Sequence, residues 1–196
     1  YYALTMSSMK QPFMTAVFSA SSHAPSKVPE RYEGVFPKGE NPVQECVAYS
    51  DNALRLFFQT ASRQPWFQNT LFVITADHTS GPVDPIYTTT LGNCGVPIIL
   101  YAPGDSTLRG YDRQRVVEQA DIMPTVLSYL HYDHPYLAFG KDMLGLPVED
   151  SYALHWLAGA NGYEYVKGKY AIEFDGQQVT AAYQYRTDPL LKHNVV

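Results

Sequence analysis

Three stretches of the chain are apolar at nearly every position, and each runs into a polar loop. The first is Pro12-Phe13-Met14-Thr15-Ala16-Val17-Phe18-Ser19, followed by Ser21-Ser22-His23-Ala24-Pro25. The second is Thr70-Leu71-Phe72-Val73-Ile74-Thr75, followed by Ala76-Asp77-His78-Thr79-Ser80-Gly81-Pro82. The third is Val96-Pro97-Ile98-Ile99-Leu100-Tyr101, stopped by Ala102-Pro103-Gly104. Short runs rich in β-branched and aromatic residues predict strands covered on both faces. Between the first two, residues 26–40 are charged and Pro/Gly-rich with no period, and read as loop. Asn41-Pro42 then opens a helix, with Asn as cap and Pro in the first turn. Val47, Leu54, Phe57, Phe58 and Ala61 keep helical spacing to about Arg63, and Gln64-Pro65 ends it. Asp121 caps a second helix, Ile122 to about Leu130, with Pro124 in its first turn. A shorter helix is expected from Ser151 to Ala158. Beyond Gly159 the pattern alternates over Tyr163–Val166, Lys169–Phe174 and Gln177–Tyr183, joined by hairpin turns at Lys167-Gly168 and Asp175-Gly176.

Apolar strands separated by helices predict an α/β fold, a largely parallel sheet covered by helices. The terminal hairpins add a small C-terminal antiparallel sheet. The domain reading is residues 1–158 as part of an α/β catalytic domain and 159–196 as a hairpin subdomain.

Composition narrows the classes. Of the 196 residues, 45% are hydrophobic and 17% charged, which excludes disorder. The net charge of -5 argues against nucleic acid as a partner. No apolar run reaches the roughly 18 residues of a membrane span. Cys46 and Cys94 are too few for a disulfide scaffold and read as two buried thiols rather than a pair. Tyr is 16 of the 196 residues, an aromatic loading common in extracellular and envelope proteins. The chain starts at Tyr1 rather than Met, which we read as a processed or excised part of a longer protein.

In a parallel sheet, ligands bind beyond the carboxyl ends of the strands. Two predicted strands end there in metal-capable residues, His23 after the first and Asp77 with His78 after the second. Carboxylate and imidazole are suitable ligands for Zn or Mn. By spacing alone, the favoured reading of the pair is a capping Asp and a loop His bonded to backbone, and His23 alone likewise reads as an ordinary loop residue. Elsewhere, His131, Asp133, His134 and Asp51 read as solvated, Asp121 as a cap and His193 as structural. Tyr163, Tyr165 and Tyr170 read as cross-strand packing, and Cys94 has no His neighbour to make it a nucleophile.

Several segments, taken in order, resemble the alkaline phosphatase and sulfatase superfamily. Leu71–His78 is similar to its strand-plus-metal motif. Phe13 to Pro25, ending Ser-Ser-His-Ala-Pro, resembles the strand and S-x-H-x-P element of lipoteichoic acid synthase-like sulfatases. Val96–Gly104 resembles their next strand, Gln119–Thr125 their D-I-x-P-T helix start, and Gly140–Leu144 their G-x-D-L. Asp188–Asn194 is similar to a D-P-x-x-x-x-N tail.

The resemblance implies a partial alkaline phosphatase-like fold, the C-terminal half of a catalytic domain. It implies a metal-dependent hydrolase or transferase of sulfate or phosphate esters, of the sulfatase or phosphoglycerol transferase type. Asp77 and His78 would be metal ligands, with Zn or Mn as the divalent ion. His23 would contact the ester oxygens as donor or general acid. The family's nucleophile, a Thr or Ser, and its first acidic ligand precede the His-Pro element. None of Ser22, Thr79 or Ser80 fits the nucleophile's place, so this chain is expected to carry no nucleophile and to be inactive alone. The implied partners are a lipid- or glycan-linked ester substrate and the N-terminal half of the parent protein. The implied location is the cell envelope, periplasmic or extracellular, with a membrane-anchored parent. The competing reading is a non-catalytic envelope glycan-binding or scaffold domain, for which the Tyr count and the hairpins speak.

Overall fold

The computed structural model describes residues 1–157, 159 and 161–196. The chain forms two compact units, one of residues 1–83 and 99–109, the other of residues 84–98 and 110–196.

The first unit is built on an aromatic core. Its long helix α2 (Pro42–Ala61) starts at a capping box, in which Asn41 accepts from Val43 N at 3.1 Å and Gln44 reaches back to Asn41 N. A short helix α1 (Tyr2–Met6) precedes it. Strand β1 (Phe72–Thr75) is hydrogen-bonded to β2 (Ile98–Tyr101) in a two-stranded sheet. The buried cluster is Ala3, Met6, Ala61, Trp66, Phe67 and Phe72, flanked by Phe57 and Phe58 of α2. The Phe72 ring lies 5.1 Å from Phe58, 5.5 Å from Phe67 and 5.9 Å from Tyr101, so β1 is fixed to the helix by ring contacts. Such aromatic pairs add about 0.5–1.5 kcal/mol each beyond area burial.

The expected strand over 12–19 does not form. Residues 13–20 form no regular secondary structure. Phe13 still meets the Trp66 ring at 6.2 Å and Thr15 accepts from the Tyr2 hydroxyl at 2.7 Å. Met14, Val17 and Phe18 stand 95%, 69% and 76% exposed. An apolar run becomes a strand only when a neighbouring strand takes its N–H and C=O groups, and none does so among the described residues.

The second unit carries a four-stranded antiparallel meander in the order β3 (Tyr152–Leu157), β4 (Gly162–Lys167), β5 (Tyr170–Phe174) and β6 (Val179–Tyr183). The last three strands follow the alternation expected of them. The first corrects an expectation, because the predicted helix from Ser151 is a strand over 152–157, and Ala158 lies outside the described residues. Register explains the change: Trp156 lies opposite Tyr163, with ring centroids 4.9 Å apart. Pairing of this kind outweighs local propensity.

Helix α3 (Ile122–Tyr129) begins at Asp121, as read, but the Asp121 carboxylate does not cap it. It accepts instead from Glu118 N at 3.0 Å and from Lys141 N at 2.7 Å, and Lys141 Nζ sits 3.1 Å away. Asp121 is 1% exposed, and Lys141, which also meets Glu118 Oε1 at 3.3 Å, supplies the charge that its buried carboxylate needs. Thr125 extends the network, donating to Asp121 O and accepting from Met143 N. Gly140 lies so close to the Ala120 carbonyl that a side chain there would collide with backbone. The Gln119–Thr125 and Gly140–Leu144 segments are thus two halves of one buried polar joint.

Both cysteines are free. Cys46 is buried, as expected, whereas Cys94 is exposed. Burial, and then the charge of Glu164, push the Cys94 thiol up, away from thiolate reactivity. No helix among the described residues is long and apolar enough to cross a membrane.

Candidate functional site

The site residues read from the sequence all belong to the first unit. Asp77 and His78 follow the C-terminal end of β1, where the backbone leaves the strand and adjacent side chains no longer point to opposite faces. His78 Nε2 lies 3.3 Å from Asp77 Oδ2, and the two side chains are 70% and 54% exposed. His78 Nδ1 is 2.8 Å from Thr79 O. A carbonyl accepts only from a protonated nitrogen, so this contact assigns the proton to Nδ1. Nε2, facing Asp77, is then left to carry a second proton or to act as a ligand.

The loop bearing this pair is tied to the start of α2. Asn41 Nδ2 donates to Gly81 O at 3.3 Å while Asn41 Oδ1 caps the helix. Gly81 has φ of +55° and lies against the Asn41 amide, with no room for a Cβ. Nothing in the sequence pattern links a helix cap to a loop 40 residues later.

His23 sits in the turn at 21–25, held by His23 N to Ala20 O at 3.1 Å and Ser26 N to His23 O at 3.0 Å. Its Nδ1 lies 3.0 Å from Ala24 O, so its Nε2 is the nitrogen left to meet another group. The structure therefore joins Asp77 to His78 side chain to side chain, and places His23 on its own exposed turn. Among the described residues no group of three or more His, Cys, Asp or Glu side chains is arranged to hold a metal ion.

Other titratable residues separate clearly. His134 and Asp133 are exposed loop residues 3.6 Å apart. His193 N donates to Asp188 at 2.8 Å in the C-terminal tail. One buried cluster escapes the sequence reading altogether. Glu164 of β4 is fully buried, accepts from Thr90 Oγ1 at 2.8 Å and lies 3.1 Å from His155 Nε2, off hydrogen-bond alignment. Glu173, directly opposite on β5, shares the Thr90 hydroxyl at 3.3 Å. The neighbouring tyrosines drew the reading toward the other face of β4.

Asp77 and His78 thus stand together, exposed, just beyond the end of strand β1. The Sulfatase family model matches residues 2–132, and the chain belongs to that family, within the alkaline phosphatase and sulfatase superfamily. Among curated proteins it is similar to lipoteichoic acid synthase 1 of Bacillus subtilis (strain 168), 26% identical over 166 residues, covering 76% of this chain and 26% of that protein. Among solved structures it matches Ps i-CgsB in complex with k-i-k-neocarrahexaose, with a TM-score of 0.68 at 18% identity, covering 88% of this chain and 43% of that one. A Bacteroides thetaiotaomicron structure described with the metabolism of multiple glycosaminoglycans matches with a TM-score of 0.64, again at 18% identity, covering 88% of this chain and 44% of that one. These likenesses establish the fold as a partial α/β sulfatase fold. The chain spans about a quarter of the curated relative and less than half of the solved structures.

Proposed function

We propose that this chain supplies one part of the catalytic centre of a metal-dependent hydrolase or transferase acting on sulfate or phosphate esters. The observation that carries the reading is the Asp77–His78 pair, side by side at the end of β1 and open to solvent.

The donors present fit a divalent ion in kind. A carboxylate oxygen and an imidazole Nε2 facing one another repel unless a proton or a cation lies between them, and both are ligands for Zn or Mn. They are two donors, where a protein-held ion commonly takes three or four. A bound divalent ion neutralises charge on the ester oxygens and lowers the pKa of a coordinated hydroxyl. Asp77 and His78 would hold it. The Thr79 carbonyl keeps the His78 ring in the ligating tautomer, and Asn41 holds the loop. His23, with Nδ1 turned to Ala24 O, presents Nε2 to donate a hydrogen bond or a proton to an ester oxygen.

The nucleophile and a further acidic ligand would come from the part of the parent protein outside this chain, and the exposed apolar run over 13–18 would pair there. The substrate class is a glycan- or lipid-linked ester, and the setting is the cell envelope, periplasmic or extracellular, with a membrane-anchored parent. The similarity to a lipoteichoic acid synthase supports this setting, and the Sulfatase family match supports the ester chemistry.

The test is turnover of an aryl sulfate and an aryl phosphate with added Zn or Mn, by this chain and by the parent protein. The expected result is turnover by the parent, abolished by Asp77→Ala, and none by this chain. Turnover by this chain alone would refute the division of the site. Parent turnover and ion binding both indifferent to Asp77→Ala would favour a non-catalytic glycan-binding domain.

A further inference from the structure

Asn161 is the last residue before strand β4, and it is exposed at the end of the connection from β3. Its φ is +49°, in the left-handed region that Asn tolerates better than most other non-glycine residues. Gly162 follows it and lies opposite Leu157 in the β3–β4 register. A Cβ on Gly162 would fall 2.6 Å from the Phe174 carbonyl oxygen of β5 and 3.3 Å from its carbon, so this position accepts no side chain. The entry to β4 favours one residue type and the close approach of β5 demands another, and together they fix the dipeptide Asn-Gly.

That dipeptide is chemically weak for the same reason that it fits. With no Cβ on Gly162, the main-chain nitrogen is unshielded and can approach the amide carbon of the preceding side chain. The other five asparagines lack this neighbour, since they precede Pro42, Ala53, Thr70, Cys94 and Val195. Three of them are also held by hydrogen bonds. Asn41 is bonded to Val43 N and Gly81 O, Asn52 Oδ1 accepts from Arg55 Nη2 at 2.7 Å, and Asn194 Oδ1 accepts from Ala182 N.

We propose that Asn161 is a site of spontaneous deamidation, in which the Gly162 nitrogen displaces ammonia to form a succinimide. Hydroxide removes the Gly162 amide proton, and a bond forms from that nitrogen to Asn161 Cγ. The bond from Cγ to Nδ2 breaks, and Nδ2 takes one proton from solvent and leaves as ammonia. Water then opens the ring at one of its carbonyls. Opening at Cγ leaves an aspartyl residue, and opening at the main-chain carbonyl leaves an isoaspartyl residue. One water is consumed and one ammonia released, and a carboxylate is added to a chain of net charge -5. The isoaspartyl product runs the main chain through the side-chain carbons, which adds one backbone atom just before the Trp156–Tyr163 pair. Strand β4 takes up that atom only as a bulge or a shift of register. This chemistry uses neither Asp77 nor His78, so it stands or falls separately from the ester reading.

The test is peptide mapping by mass spectrometry of the folded chain, held at neutral and at mildly alkaline pH. The peptide spanning 161–162 is expected to gain the mass difference between amide and acid before any other asparagine peptide. The gain should be faster at the higher pH and matched by an equal amount of released ammonia. Hydroxylamine, which attacks the succinimide, should cut the chain between Asn161 and Gly162. Asn161→Gly keeps the positive φ without a side-chain amide, so it should show neither change, with circular dichroism checking that it folds. The mapping of the unaltered chain stands whether or not that variant folds. The isoaspartyl form, separated by chromatography, should melt below the unmodified chain. Conversion only after unfolding in urea would show that strand pairing keeps the Gly162 nitrogen out of reach, and would overturn the proposal. Another asparagine converting first, or the same mass gain in the folded Asn161→Gly chain, would overturn it too. An isoaspartyl form that melts with the unmodified chain would overturn the consequence for register.

Discussion

Asn41 Nδ2 donates to Gly81 O at 3.3 Å, so one side chain both starts the long helix and holds the loop of Asp77 and His78. Two substitutions separate these duties. Asn41→Ala should cost about 1 kcal/mol of stability through loss of the cap. Asn41→Asp retains an equally good cap and should cost little, but a carboxylate cannot donate to Gly81 O. Both variants should speed amide hydrogen exchange over residues 76–82. Unchanged exchange there in Asn41→Asp would show that Gly81 is held by its own turn alone.

Metal affinity measures how complete the donor set is. This chain should bind Zn or Mn weakly, and the parent protein much more tightly, because two protein donors leave water to fill the remaining positions. Nanomolar binding by this chain, lost in His78→Ala, would mean that every ligand is already present.

Lys141 makes the joint around Asp121 sensitive to alkali. Burial pulls the Lys141 ammonium down, but the hydrogen bonds and charges of Asp121 and Glu118 outweigh it, and its pKa lies above the usual lysine value. A raised folded pKa means that its stabilisation is complete below the unfolded value of about 10.4 and is lost as pH climbs through the folded one. Tyr183 and Tyr185 are also raised, chiefly by burial, and act in the same direction. The Lys141 share is therefore the difference between wild type and Lys141→Met. That variant should lose about 3 kcal/mol at neutral pH, since Asp121 is left buried without its cation, and should show a flatter decline in alkali. Parallel denaturation curves from pH 9 to 12 would contradict this.

The tail responds to acid. His193 N donates to Asp188, and this backbone bond, above all, holds the Asp188 carboxyl below its ordinary range. A depressed folded pKa gives stabilisation that is present above about 3.9 and disappears as pH falls through the folded value. Asp188→Asn should remove that part of the acid response and increase exchange over 188–196, where Asn194 Oδ1 accepts from Ala182 N at 3.1 Å and Val195 N donates to Ala182 O at 2.9 Å. Exchange unaltered by the substitution would assign the tail's order to Asn194 alone.

Helix α2 was legible because cap, proline and period agree along one local stretch, and its observed span, Pro42–Ala61, falls within the expected one. Strands β4 to β6 were legible because their turns and alternation agree. What local pattern could not convey was pairing. Pro12–Ser19 has the composition of a central strand and no strand partner among the described residues. Tyr152–Leu157 reads as helix until β4 lies beside it. At the site, residue types and strand ends pointed to Asp77, His78 and His23, while Asn41 was invisible because its second bond spans 40 residues. Glu164 was invisible for a different reason: an ionisable side chain at an inward strand position contradicts the expectation that polar means outward.

That inward Glu164 has a consequence for how the meander finds its register. A slip of one residue would turn Glu164 and Val166 to water and bring Tyr163, Tyr165 and Lys167 inward. It would also separate Glu164 from both Thr90 and His155, its partners from outside the strand. The carboxylate therefore acts as an alignment key: it lends the sheet little strength, but only one pairing of β3, β4 and β5 lets it fit.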